Sequence, residues 1–378
     1  MGLPQPSLAQ LAAVLLAGSL LSGCGSDAPK FAVADSDLKA EENVQSTLAL
    51  DTTLDEHARL LDVAFPLSAA AADLCGKDVT EGFGVNIATL SGLREELRDA
   101  AAKKLSLDDT PQILHVVPNS PADKAGLKTG DKIVALDHMR IEPGDKSADK
   151  VMERLHQAKS GPVLFEVSQK SESSREVTVA PIPVCKVEFF IGKSDAVNAF
   201  SDGDSVIIMA GMMRFAATKQ ELALVLSHEM AHAMMRDEQV IPAVAIPGAI
   251  ADFVVSDLFG INTQRVFARG GGRSYTQDFE AEADTVGLYV MARAGFDIDG
   301  APEFWRRIAA NYPESIKDSL SADHPATPYR FVLLKQTIAE IKDKQAKNEP
   351  LVPELLSERV KPASGQPSQA AAAPGKPE

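Results

Sequence analysis

Ser227-His228-Glu229-Met230-Ala231-His232 lies inside a run, Thr218 to Met235, whose reading decides the fold of the second half of the chain. Thr218-Lys219-Gln220-Glu221 fits a capping box, in which a threonine hydroxyl and a glutamate carboxylate satisfy the first free amides of a helix. Leu222, Val225, Leu226, Met230 and Met234 then recur at helical spacing, so one face of the segment is expected in a core. At about 100° per residue, His228 and His232 leave the same side of that helix one turn apart, a spacing that suits two ligands of a tetrahedral zinc ion. Glu229 sits beside them, placed to take a proton from a water molecule held at the site.

Hydrolytic zinc ordinarily has a third protein ligand and one open position. Downstream, Asp278-Phe279-Glu280-Ala281-Glu282-Ala283-Asp284-Thr285-Val286-Gly287-Leu288 reads as a second helix with Glu280 and Asp284 one turn apart. With both motifs in hand, the chain resembles the zinc peptidases that include the CaaX prenyl proteases, HtpX, the mitochondrial Oma-type protease and the periplasmic BepA-like proteins. In that family Glu-x-x-Ala-Asp follows His-Glu-x-x-His. The resemblance implies one zinc per chain, held by His228, His232 and Glu280, with Glu229 as catalytic base and Asp284 bracing a ligand imidazole. A carboxylate behind a ligand histidine fixes its tautomer and aim, which gives that last role a physical reason. Glu282, two residues from Glu280, is expected to point elsewhere.

Asp323-His324-Pro325-Ala326-Thr327-Pro328-Tyr329-Arg330 is similar to the family's His-Pro-x-Thr-x-x-Arg. It implies that His324 approaches the metal or stabilises an oxyanion, and that Arg330 orients that loop. The chain departs from the family at Gln277, where an arginine often stands, and at Asp237, where a histidine is common.

Between Val79 and Val184 the pattern changes to short strands with turn signals. Gln112 to Val117 reads as a strand, and Ser120-Pro121-Ala122-Asp123-Lys124-Ala125-Gly126-Leu127-Lys128-Thr129-Gly130-Asp131 resembles a PDZ domain of the HtrA-like kind. Gly126 and Gly130 are expected at positive φ, at a helix end and a turn. Gly82, Phe83, Gly84 and Val85 resemble the loop and strand that capture a peptide carboxylate, since exposed amides suit an anion and a strand edge can add an extended peptide. Val151 to Ala158 is expected to line the groove, with Pro162–Val167 and Arg175–Val179 closing the sheet. A helix inserted within Ala88 to Lys104 leaves two outcomes for the groove, filled or open.

Leu8 to Leu21 is apolar and rich in small residues, too short for a comfortable bilayer span, and ends in Leu21-Ser22-Gly23-Cys24. It resembles a bacterial lipoprotein signal, which implies lipidation of Cys24 and an anchored protein on the periplasmic side of the envelope; Gly25 after the cysteine favours the outer membrane. Cys75 and Cys185 bracket the PDZ segment and are expected to pair in that oxidising compartment, the alternative being two buried thiols. The net charge of −15, from 38 basic and 53 acidic residues, argues against nucleic-acid binding.

The expected class is α+β. A mainly helical zincin-like peptidase domain with a small edge sheet follows a β-rich PDZ domain. The expected divisions are a signal over 1–23, a tether over 24–52, a helical segment over 53–78 with His57 on its surface, the PDZ domain over 79–185, the peptidase over 186–345 and a disordered tail over 346–378. Val197–Phe200 with Ser205–Gly211 resembles the family's strand pair above the zinc, although core packing also accounts for its apolar residues. Val240–Ile261 is too interrupted by proline, glycine and aspartate to span a membrane and is expected to cover the site, the alternative being contact with the membrane surface. Gly270–Gly272 reads as a flap or a plain turn. Protein or peptide substrates follow from this reading, whose alternative is a latent peptidase-like binding module or chaperone. Oligomeric state is left open.

Overall fold

The computed structural model describes residues 33–158, 161–169, 173–235, 277–313 and 327–357. The Cys24 signal, the Val240–Ile261 and Gly270–Gly272 segments, Asp237, His324 and the last residues of the tail lie outside these, as does the Gln277 side chain.

Helix α1 runs over Asp35–Ala70 and so starts well upstream of Thr53. Its early turns escape a periodicity search because they bury no stripe: Leu38, Val44 and Leu48 are all exposed. Among the described residues, those up to Gln45 form a unit of their own. From Ser46 on, Leu60, Val63, Ala64 and Leu67 of α1 enter the main core. His57, expected on the surface, is partly buried instead.

The PDZ region follows as β1 (Val79–Gly82), β2 (Val85–Ala88), α2 (Glu95–Leu105), β3 (Gln112–Val116), α3 (Pro121–Ala125), β4 (Lys132–Leu136), β5 (Met139–Arg140), α4 (Ser147–His156), β6 (Val163–Ser168), β7 (Arg175–Val179) and β8 (Ile182–Cys185). One sheet has the order β2-β3-β4-β6-β7, with β5 on β4, and β1 pairs with β8. Gly126 ends α3 at φ +90° and its amide donates to the carbonyls of Ala122 and Asp123, the left-handed helix end that its glycine predicts.

Alternation along β2 and β3 shows where the inserted helix goes. Ile87 and Ile113 pack with Val151 and Leu155 of α4. Their neighbours Ala88 and Leu114 pack with Leu93, Leu97 and Ala101 of the insertion and with Leu50 of α1. Successive strand residues face opposite sides, so α2 covers the face of the sheet away from α4. The outer edge of β2 has no strand partner among the described residues.

Cys75 and Cys185 form a disulfide with their Cα atoms 5.8 Å apart, tying the end of α1 to the end of β8. The chain then makes β9 (Glu188–Gly192), β10 (Ala199–Ser201), β11 (Ser205–Met209), α5 (Ala210–Phe215), α6 (Lys219–Met235), α7 (Gln277–Arg293), α8 (Ala301–Asn311) and α9 (Pro328–Ala346). β11 lies between antiparallel β10 and parallel β9. It is buried on both faces, with Val206 and Ile208 in the main core and Ile207 and Met209 in a separate cluster.

The expected tail begins too early at 346. Leu356 is 2% exposed and packs in the main core, while Arg293 donates to the Leu351 carbonyl and Lys344 to that of Val352. A few leucines and valines among prolines and charges suffice to dock a strand-free segment. Among the described residues no helix is long and apolar enough to cross a membrane.

Candidate metal centre

The capping box at the start of α6 is formed in both directions. Glu221 N–H donates to Thr218 Oγ1 at 3.2 Å, and Thr218 N–H donates to Glu221 Oε2 at 3.2 Å. Arg307 of α8 takes the other oxygen, Oε1, at 2.7 Å, and lies over the rings of Phe215 and Phe304. Arg59 of α1 donates to the carbonyls of Met213 and Ala216 just before α6, and Asp62 pairs with Lys219 at its first turn and with His115 of β3. The helix that carries His228 and His232 is thereby fixed at its N-terminus by both α1 and α8. Along its length every residue from Leu222 to Met234 is buried.

Helix α7 crosses α6 at Gly287. A side chain there would bring its first carbon to 3.1 Å from His228 N and Ser227 C. A side chain there would sit closer than nine in ten real contacts of its kind, so glycine suits this approach, which delivers Glu280 and Asp284 to the histidines. His228 Nε2 is 3.5 Å from Glu280 Oε2, and His232 Nε2 is 3.4 Å from Glu280 Oε1. The candidate donor atoms of the three residues all lie within 4.8 Å of one another. The two imidazole planes stand at 89° with ring centroids 4.8 Å apart, so the rings converge without stacking.

Two imidazole nitrogens and one carboxylate, buried and convergent, match the donor set of catalytic zinc sites, which leave one position for water or substrate. His228 is 1% exposed, Glu280 0% and Asp284 2%. Behind the histidine, Asp284 Oδ1 lies 3.0 Å from His228 Nδ1, the atom facing away from the other two donors. That contact makes Nδ1–H the donor and leaves Nε2 as the lone-pair atom toward the centre.

Arg330 closes the cluster. Its Nε donates to Asp284 Oδ2 at 2.8 Å, its Nη2 to Asp284 Oδ1 at 2.8 Å, and its Nη1 to Glu280 Oε2 at 2.7 Å. The Trp305 ring packs against both Arg330 and His228 at 5.3 Å.

Burial opposes charge on His228, yet its hydrogen bonds to Asp284 and Glu280 carry its pKa above the ordinary value. Burial dominates at His232 and pushes it down. Burial also works against the Asp284 carboxylate, but the Arg330 charge and the His228 hydrogen bond hold it below the usual range. A metal cation held at His228 would take the place of the proton that this surrounding favours.

The structure therefore brings together His228, His232, Glu280, Asp284 and Arg330, with Glu229 2% exposed between the two histidines on α6. His324 lies outside the described residues, and the role expected for Arg330 differs: among the described residues it clamps two carboxylates. Trp305 was expected only as core. No local pattern announces either contact, because α8 and α9 meet α7 solely through tertiary packing. In the PDZ region Gly84 takes φ +77°, and a side chain there would collide with Ser120. Gly82, Phe83 and Val85 flank it at the start of β2, whose outer edge has no strand partner among the described residues.

Comparison with known proteins agrees with this geometry. Residues 170–338 match the profile of peptidase family M48, and residues 112–168 that of the PDZ domain. Residues 170–338 thus match a metallopeptidase family for which zinc is the metal. The chain is 31% identical to the beta-barrel assembly-enhancing protease of Yersinia pestis over 135 residues, covering 32% of this chain and 28% of that one. It is 26% identical to the mitochondrial metalloendopeptidase OMA1 of Arabidopsis thaliana over 176 residues, 45% of this chain and 35% of that one. The chain spans under a third of the length of the bacterial relatives it matches. Among solved structures, the HtrA3 PDZ domain bound to a phage-derived ligand aligns at 21% identity and a TM-score of 0.21, over 28% of this chain and 88% of that one.

Proposed function

We propose that this chain is a zinc-dependent endopeptidase of the bacterial cell envelope that hydrolyses internal bonds of protein substrates. The observation that carries the reading is the buried His228–His232–Glu280 group with Glu229 on the same helix turn. His228, His232 and Glu280 would hold the zinc, which would supply a Lewis acid for the scissile carbonyl and for water. Glu229 would take a proton from the attacking water on a carboxylate oxygen and return it to the leaving amine. Asp284 keeps His228 in the tautomer that presents Nε2 to the metal.

The names of the bacterial relatives and the Cys75–Cys185 disulfide support the envelope as the site of action. Cys24 is the proposed lipid anchor, with the domains on the periplasmic side of the outer membrane. The PDZ domain is proposed to select substrates by a free C-terminus, at the amides of Phe83 to Val85 and along the β2 edge. Placement of α2 on the face away from α4 supports an open groove.

A peptide-library digest by the full chain, with chelator and with zinc restored, tests the activity. Internal cleavage that chelation stops and zinc restores supports it. Intact peptides in the presence of zinc-loaded protein would instead favour a latent binding module. Substrates ending in a free acid should be cut faster than their amidated counterparts at low concentration, and equal rates would remove the PDZ domain from recognition.

A further inference from the structure

The two oxygens of Glu280 have different surroundings. Oε2 accepts from Arg330 Nη1 at 2.7 Å and lies 3.5 Å from His228 Nε2, whereas Oε1 faces His232 Nε2 at 3.4 Å. The guanidinium that holds Oε2 is itself immobilised. A bidentate pair to Asp284, at 2.8 and 2.8 Å, fixes its plane, because two parallel N–H to oxygen bonds define orientation as well as position. One of its faces lies on Trp305. Arg330 is 3% exposed, so water scarcely competes for its donors.

A carboxylate can bind a metal through one oxygen or through both. Binding through both fills a further coordination position, the position that hydrolysis needs for water and substrate. We propose that Arg330 is a positioning residue that restricts Glu280 to one-oxygen ligation through Oε1 and so keeps that position open. Three helices contribute to the device: α7 supplies the two carboxylates, α9 the guanidinium and α8 the tryptophan that backs it. A single cation thereby sets both the carboxylate ligand and, through Asp284, the aim of the histidine ligand. The inference rests on His228, His232 and Glu280 being the metal ligands.

A guanidinium that merely pinned helices together would alter stability without altering coordination, so the test reads coordination. The full chain is loaded with cobalt(II), whose visible absorption is strong in four-coordinate sites and weak in five- or six-coordinate ones. Wild type is expected to give the strong band. Arg330→Met is expected to give a weakened band, as Glu280 takes up the metal with both oxygens, and metal affinity in a chelator competition about 10- to 100-fold lower. Because an uncompensated buried carboxylate could prevent folding of that variant, Arg330→Lys is measured beside it. Lysine retains the charge but lacks the fork that serves both carboxylates, and it should shift the band in the same direction with about tenfold weaker binding. Folded variants with wild-type spectrum and wild-type affinity would overturn the inference while leaving the metal site intact. A wild-type chain that takes up no metal would instead overturn the metal-site reading beneath it.

Discussion

Replacing Gly287 with alanine should damage the metal centre from a position that touches no metal ligand side chain. The added carbon would lie 3.1 Å from His228 N, 3.1 Å from Ser227 C and 3.2 Å from Ser227 O, where ordinary contacts run from 3.4 to 4 Å. These are backbone atoms in the buried middle of α6, so no flexible side chain can step aside. Helix α7 must withdraw by a few tenths of an ångström. Glu280 and Asp284 ride on the same helix, and metal sites tolerate errors of only about 0.2 Å in ligand distance. Overpacking of this kind costs about 1–3 kcal/mol, against which the helix preference of alanine over glycine returns about 1. The expected result is a net loss of about 0–2 kcal/mol in urea unfolding together with weaker zinc binding in a chelator competition. Gly287→Val should enlarge both effects. A Gly287→Ala chain that is about 1 kcal/mol more stable than wild type and holds zinc equally well would refute the close crossing of α6 and α7 as the device that builds the site.

Two further outcomes follow from the same packing. The Cys75–Cys185 bridge closes 110 residues, for which the chain-entropy relation gives about 4–5 kcal/mol; the double alanine variant should unfold at lower urea, and a difference that persists in reductant would contradict the bridge as its source. Burial first, and then the Arg94 charge, push His57 down to about 4. Its folded pKa lies below the unfolded value near 6.5, so the unfolded chain binds the extra proton between those limits. Stability should therefore fall as pH drops from about 6.5 to 4, by on the order of 2 kcal/mol after allowing for partial exposure. His57→Leu should flatten that acid limb in thermal unfolding, and an unchanged slope would contradict the assignment.

What was legible in the sequence were the features in which neighbouring residues cooperate. The capping box at Thr218 and Glu221, the one-turn spacings of His228 with His232 and Glu280 with Asp284, and the glycine-ended turn at Gly126 all follow from local geometry. The apolar residues of β11 were visible as a strand, but its parallel partner β9 was not, because a register between distant segments leaves no local signal. Arg330 lies 46 residues beyond Asp284, and only the packing of α9 on α7 turns it inward onto two carboxylates. Helix α1 was read too short for the opposite reason: its first turns are helical without burying anything, so hydrophobic periodicity could not mark them.

The central claim is that Glu229 acts as the base of a zinc centre built by His228, His232 and Glu280. Metal content and peptide turnover measured on one preparation of Glu229→Gln test it most directly. Glutamine is nearly isosteric and leaves the three ligands in place, so one zinc per chain should be retained while cleavage falls by about 10²-fold or more. Substantial turnover by the zinc-loaded variant would contradict the account.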